Sequence, residues 1–227
     1  MTTPHNPPLP RPRAVLFDLD GTLVDTVSLR IDAWERTFTE FDLPIDRARL
    51  SPLIGLDGRR LAREVAALHG DQIDDDRAEV IDRRSGEIYE GLNAAPKPLP
   101  GVDRLVAAIE ERGIAWAIAT SSRAAQVATS VAALGLGHEP VIVDASHVAN
   151  AKPEPDLLLF AARELGVDPA ACWYIGDSTW DMVSAVAAGM LAIGVTAGSA
   201  VDAATLTGAG ATAVVETLDG VAEALRA

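Results

Sequence analysis

The chain of 227 residues carries 33 Asp and Glu against 19 Lys and Arg, a formal charge of −14, with 48% apolar and 23% charged residues. That length and composition describe one large folded unit, or a core with a smaller insertion, and exclude general disorder. The acidic balance argues against nucleic acid or an anionic membrane as partner, because either selects a basic surface, while a small anionic substrate held by a few local cations stays open.

Residues 1–12 hold five prolines and no apolar run of a signal peptide, and read as an extended, poorly ordered arm. A short apolar run, Ala14–Phe17, then ends in Asp18 and reads as a buried strand. From 27 to 93 only helical patterns follow, at 28–41, 59–68 and 74–93, and the acids Asp74, Asp75 and Asp76 read as a helix start. The Pro-rich linker 93–101 returns the chain to alternating elements. These are helices at 102–111, 123–133, 155–165 and 181–188, and strands at 114–119, 141–143, 172–175 and 191–195. The pattern predicts an α/β fold, a Rossmann-like doubly wound parallel sheet with an inserted small α-helical cap domain. The core would comprise 13–26 and 96–227, and the cap 27–93.

Twenty uncharged residues at 182–201 are broken by Gly189, Gly194 and Gly198, and read as a buried helix, a turn and a strand rather than a membrane span. The lone cysteine, Cys172, makes no intrachain disulfide; it reads as a buried structural thiol in a cytoplasmic protein. The histidines follow no ligand spacing, and the four tryptophans read as core packing.

Four predicted strand ends carry reactive or polar groups, and in open α/β sheets ligands bind at the carboxyl ends of strands. The first is Asp18-Leu19-Asp20-Gly21-Thr22, two carboxylates that repel unless a cation or shared proton intervenes, or else an Asp-Gly turn with a capping acid. The second, Thr120-Ser121-Ser122, offers hydroxyls and free amides before a helix, as an anion site or an ordinary N-cap. In the third, prolines flank Glu154 and fix the chain near Lys152, which is otherwise a surface lysine. The fourth, Gly176 to Asp181, adds Asp177 at a strand end and Asp181 at a helix start, completing an oxygen-rich site of the kind Mg²⁺ prefers.

Together the segments DLDGT, ATSS, AKPEPD and GDSTWD resemble, in order, the four motifs of the haloacid dehalogenase superfamily of phosphotransferases. The helical insertion resembles the small cap of its phosphoglycolate-phosphatase-like and β-phosphoglucomutase-like members. The resemblance implies Asp18 as nucleophile and Asp20 as acid and base. It implies Mg²⁺ held by Asp18, the carbonyl of Asp20 and Asp177 with support from Asp181, and a phosphoryl group bound by Thr120, Ser121 and Lys152. Asp20 favours phosphoryl chemistry over dehalogenation, because the dehalogenases lack a second Asp in that motif. Gly176 and Arg30 stand where mutases usually carry Glu and His, which favours a hydrolase. The absence of lysine from 27–93 tells against a Schiff-base phosphonoacetaldehyde hydrolase.

The expected activity is thus a Mg²⁺-dependent phosphatase of small phosphorylated metabolites. A phosphosugar mutase is the alternative, and a non-catalytic binding protein of the same fold the third. Arg30, Arg59, Arg60 and Arg63 are candidates for substrate specificity, although a solvated helix face explains each; the loop 55–58 is expected to dip towards the site, with hinges near 24–26 and 96–100. The substrate and the oligomeric state stay open.

Overall fold

The computed structural model describes residues 9–226. The strands are β1 (Ala14–Phe17), β2 (Ala115–Ala119), β3 (Val141–Val143), β4 (Cys172–Gly176), β5 (Leu191–Val195) and β6 (Ala213–Val215). All pair in parallel in the order β3-β2-β1-β4-β5-β6. Their near-continuous apolar sequences follow from this arrangement, because both faces of the sheet are covered. One face packs on α5 (Val102–Glu111), α6 (Ala124–Ala133) and α10 (Leu218–Ala224). The other packs on α7 (Asp156–Glu164), α8 (Thr179–Ala187) and α9 (Ala203–Gly208).

Helices α1 (Val27–Glu40), α2 (Arg47–Leu50), α3 (Gly58–Leu68) and α4 (Asp75–Leu92) form a separate layer with its own apolar cluster, in which Trp34 stacks on Phe38 at 5.2 Å. Their starts are written in the sequence. Asp57 caps α3 by accepting from the Arg60 amide, and Asp74 caps α4 by accepting from Arg77, with Asp75 and Asp76 in the favourable first turn. Two chain segments join this layer to the sheet. They lie side by side: Val24 bridges to Pro98, and the Asp25 amide donates to the Lys97 carbonyl at 2.9 Å.

The elements α2, α9, β6 and α10 were not expected from the sequence. Each is short; β6 is a half-buried edge strand of three residues, with too little pattern to announce itself. The arm differs too. Residues 1–8, with His5, lie outside the described residues, but the chain is tied to the core from Leu9 onward. Leu9 packs on the apolar cluster, and Trp173 Nε1 donates to the Pro10 carbonyl at 2.9 Å. Among the described residues no helix is long and apolar enough to cross a membrane.

The sheet order places a switch at β1, whose two neighbours, β2 and β4, lead the chain in opposite directions. Such a switch opens a crevice at the carboxyl ends of those strands. Leu16, wholly buried in this central strand, packs in the cluster containing Leu158 and Tyr174. Leu16→Ala is expected to lower unfolding free energy by about 2–5 kcal/mol, read from urea denaturation with an unchanged slope. A loss below about 1 kcal/mol would contradict that packing.

Candidate active site

The crevice is built where β1, β2 and β4 end. Phe17 pairs with Ile118 and Ile175, so Asp18, Thr120 and Asp177 emerge close together as the strands finish. All three are buried. Asp18 accepts from Lys152 Nζ at 2.6 Å, and the same ammonium lies 2.8 Å from Asp181 Oδ1. Lys152 is 1% exposed and is the charged side chain on which both carboxylates converge.

Asp177 accepts from Thr22 Oγ1 at 2.9 Å, and its carbonyl accepts from Ser199 Oγ at 2.5 Å. Gly21 turns with a positive φ of 85°, and a Cβ there would collide with the Asp177 carboxylate, so this position suits glycine on two counts. Asp181 faces inward rather than into the cleft. Its Oδ2 accepts from the amide and hydroxyl of Ser178, closing a capping box on α8, while Oδ1 accepts from Tyr174 at 3.0 Å. Gly176 lies against it so closely that any side chain at that position would strike Asp181.

Oxygens of Asp18, Asp177 and Asp181 lie within 4.8 Å of one another. Burial raises the Asp18 carboxyl to about 7 despite Lys152, with the charges of Asp181 and Asp20 adding to the rise. Burial likewise pushes Asp177 well above its ordinary value, helped by repulsion from Asp181 and Asp18. Three carboxylates against one ammonium is a site short of positive charge, and it fits a hard divalent cation.

Asp20 has the opposite character. Its oxygens accept from Thr26 at 2.6 Å, Tyr89 at 2.8 Å, Arg30 at 2.7 Å and Ser122 at 2.8 Å. Burial alone would raise its pKa, but the charge of Arg30 and the hydrogen bonds from Arg30, Thr26 and Ser122 outweigh it and hold the carboxyl at about 2. Asp20 therefore stands apart from the carboxylate cluster; only its main chain remains for a cation.

Arg30 is not on a solvated helix face. It is half-buried, donates also to Gln126 at 2.9 Å, and lies 3.5 Å over the Tyr89 ring. Arg59 is elsewhere: with Arg60 and Arg63 it lines an exterior groove beside Asp57 and Glu154. The loop 55–58 reaches the site as expected, and the Asp57 amide donates to the Lys152 carbonyl at 3.0 Å. Thr120 and Ser121 line the cavity, and the Ser121 hydroxyl is buried without a partner among the described residues. Sequence reasoning missed Tyr89, Gln126 and Asp82, and took Trp34 as core alone. Tyr89 falls at an apolar position of α4, where nothing in the linear pattern separates it from packing.

With the helical layer resting on the sheet, the cavity measures about 60 Å³. Asp18, Lys152 and Asp177 form its floor, and Trp34, Leu61 and Asp82 of the helical layer close it from above.

A sequence profile described as haloacid dehalogenase-like hydrolase matches residues 15–195. The chain is 35% identical to a protein named probable phosphatase IndB from Dickeya dadantii, over 81% of each chain. It is 32% identical to a protein named β-phosphoglucomutase from Bacillus subtilis, over 81% of this chain and 83% of that one. A solved structure, a hydrolase from Pseudomonas syringae, superposes with a TM-score of 0.85 at 31% identity, over 92% of this chain and 98% of the other.

The Asp18 shift sets a pH test. Its folded value, about 7, lies above its ordinary 3.8, so stability from this group is full below about pH 4 and is lost as pH rises through 7. Without metal, the unfolding free energy of the wild type relative to Asp18→Asn should fall between pH 4 and 7, and millimolar Mg²⁺ should reverse the fall. A difference that stays flat over this window contradicts the charge balance described.

Proposed function

The chain belongs to the haloacid dehalogenase-like hydrolases, and we propose that it is a Mg²⁺-dependent phosphatase acting on small phosphorylated metabolites through an aspartyl phosphate on Asp18. The observation that carries this reading is the pairing, in one closed cavity, of a buried carboxylate at a strand end with Lys152 at 2.6 Å and a second carboxylate, Asp20, two residues on.

In this reading an Asp18 oxygen attacks phosphorus, and the bond from phosphorus to the leaving oxygen breaks. Asp20 gives that oxygen a proton. Asp20 then takes a proton from water as the water attacks the aspartyl phosphate, and the phosphorus–Asp18 bond breaks to release phosphate. Lys152, Thr120 and the Ser121 amide hold the phosphoryl oxygens and meet the charge that grows on them. Asp18, Asp177 and the Asp20 carbonyl would hold Mg²⁺, with Asp181 acting at one remove by fixing Lys152. Bound there, the ion supplies the positive charge that lets an anionic nucleophile approach an anionic phosphate.

The four donors on Asp20 keep it ionised, which suits the water-activating step; proton donation in the first step requires the Arg30 pair to loosen. Two of those donors, Arg30 and Tyr89, come from the helical layer 27–93, which we read as a cap closing over the site. A second reading, a phosphosugar mutase, is favoured by the relative named β-phosphoglucomutase. It returns the phosphoryl group to substrate instead of passing it to water. Arg30 and Gly176, which stand where mutases of the family usually carry His and Glu, argue for water as acceptor.

Phosphate release from a panel of phosphoesters tests the reading. Turnover should need Mg²⁺, vanish in Asp18→Asn, and fall about 10²–10⁴-fold in Asp20→Asn. Isomer conversion without phosphate release would instead establish the mutase. Neither activity in a folded, Mg²⁺-binding protein would leave a binding protein of the same fold.

A further inference from the structure

We propose that the leaving group selected here is neutral and hydroxyl-bearing, as in a sugar or polyol monophosphate, and that Asp82 of α4 selects it. The proposal rests on the phosphatase reading above, with the helical layer lifting to admit a substrate larger than the cavity of about 60 Å³.

Beyond the phosphoryl floor, the cavity has no uncommitted cation among the described residues. Lys152 is shared by Asp18 and Asp181. Arg30 is spent on Asp20, Ser122 and Gln126. A carboxylate or second phosphate on the leaving group would face Asp82, and the one cation lining the cavity outside the phosphoryl floor, Arg30, would be held in competition with Asp20, Ser122 and Gln126. An anion buried without a partner is strongly disfavoured.

Hydroxyl groups meet the opposite situation. Asp82 Oδ2 accepts from Arg123 Nη2 at 2.5 Å, but Oδ1 accepts no hydrogen bond among the described residues. Space for Oδ1 exists only because residue 58 is glycine; a Cβ there would collide with it. Asp82 thus lines the cavity with one oxygen committed to Arg123 and the other, beside Gly58, taking no hydrogen bond among the described residues. Beside it Trp34, Ile54 and Leu61 offer an apolar surface for the C–H face of a carbohydrate or polyol. An apolar wall with a few convergent polar groups is the usual make-up of a small-molecule site, and a site built to bond a hydroxyl rejects the analogue that lacks it.

The test uses the full chain with Mg²⁺. It compares kcat and KM for p-nitrophenyl phosphate, sugar and polyol monophosphates, phosphoglycolate and a sugar bisphosphate. The best neutral hydroxylated ester should exceed both doubly anionic esters in kcat/KM by about tenfold or more. Asp82→Ala should raise KM for that ester about tenfold more than for p-nitrophenyl phosphate, and Asp82→Asn, which keeps an acceptor oxygen, should recover the preference. Arg123→Ala should not reproduce the selective loss.

Preference for phosphoglycolate or the bisphosphate overturns the proposal. So does an equal KM rise for both esters in Asp82→Ala, or the same selective loss in Arg123→Ala, which would assign the effect to the bridge between Arg123 and α4. No turnover of any ester, p-nitrophenyl phosphate included, fails the phosphatase reading and this proposal with it; turnover with an anionic preference fails the proposal alone.

Discussion

The contact on which the rest depends is the buried ammonium of Lys152, held between Asp18 and Asp181 at 2.6 and 2.8 Å. Burying a lysine costs several kcal/mol unless it is paired, and removing one partner leaves charge stranded in a dry interior. Here burial would lower the lysine's pKa, but the two carboxylates more than offset it, and it stays charged. Three elements meet at this point: the end of β1, the first turn of α8 and the segment before α7. A fourth joins through the Asp57 amide on the Lys152 carbonyl. The ammonium therefore sets the relative positions of the strand ends as well as the local charge.

One lysine does not balance the carboxylates gathered round it. Asp18 and Asp177 are left with raised pKa values, whereas Asp20, two residues from Asp18, is pulled far down. The cause is how far burial is offset. Burial raises both; for Asp20 the charge of Arg30 and the hydrogen bonds from Arg30, Thr26 and Ser122 outweigh it, whereas for Asp18 Lys152, shared with Asp181, does not. Two carboxylates with pKa values driven apart by their surroundings are suited to different chemical tasks. Only Leu19 separates them, yet Asp18 meets Lys152 while Asp20 is bonded by Arg30 of α1 and Tyr89 of α4.

What could be read in the sequence follows from range. The strand–Asp, strand–Thr and strand–Gly-Asp junctions are local, so Asp18, Thr120 and Asp177 could be placed at one end of a sheet once the strands were recognised. Asp74 and Ser178 announce helix starts through short-range capping chemistry. Arg30, Tyr89, Gln126 and Asp82 depend on how one layer rests on another. Arg30 and Gln126 are separated by 96 positions, and no local pattern says that one bonds the other. Arg59 shows the same limit from the other side. It occupies the first turn of α3, but that helix buries Leu61, Ala62, Val65 and Ala66, and Arg59 is left facing an exterior groove.

The seam between the layers is held at close range by two glycines. A Cβ at Gly55 would lie 2.5 Å from Ser178 Oγ, and one at Gly86 would collide with Gln126. Ser178 and Gln126 belong to the sheet side, and both have neighbours in the site: Ser178 caps Asp181, and Gln126 receives Arg30. Because a packed interface resists small separations and compressions alike, the glycines fix how far Arg30 and Tyr89 reach, and hence how fully Asp20 is bonded. Asp20 belongs to the core by its place in the chain and to the helical layer by two of its four partners. Its ionisation is thus set by the fit between the layers, a property that neither layer carries alone.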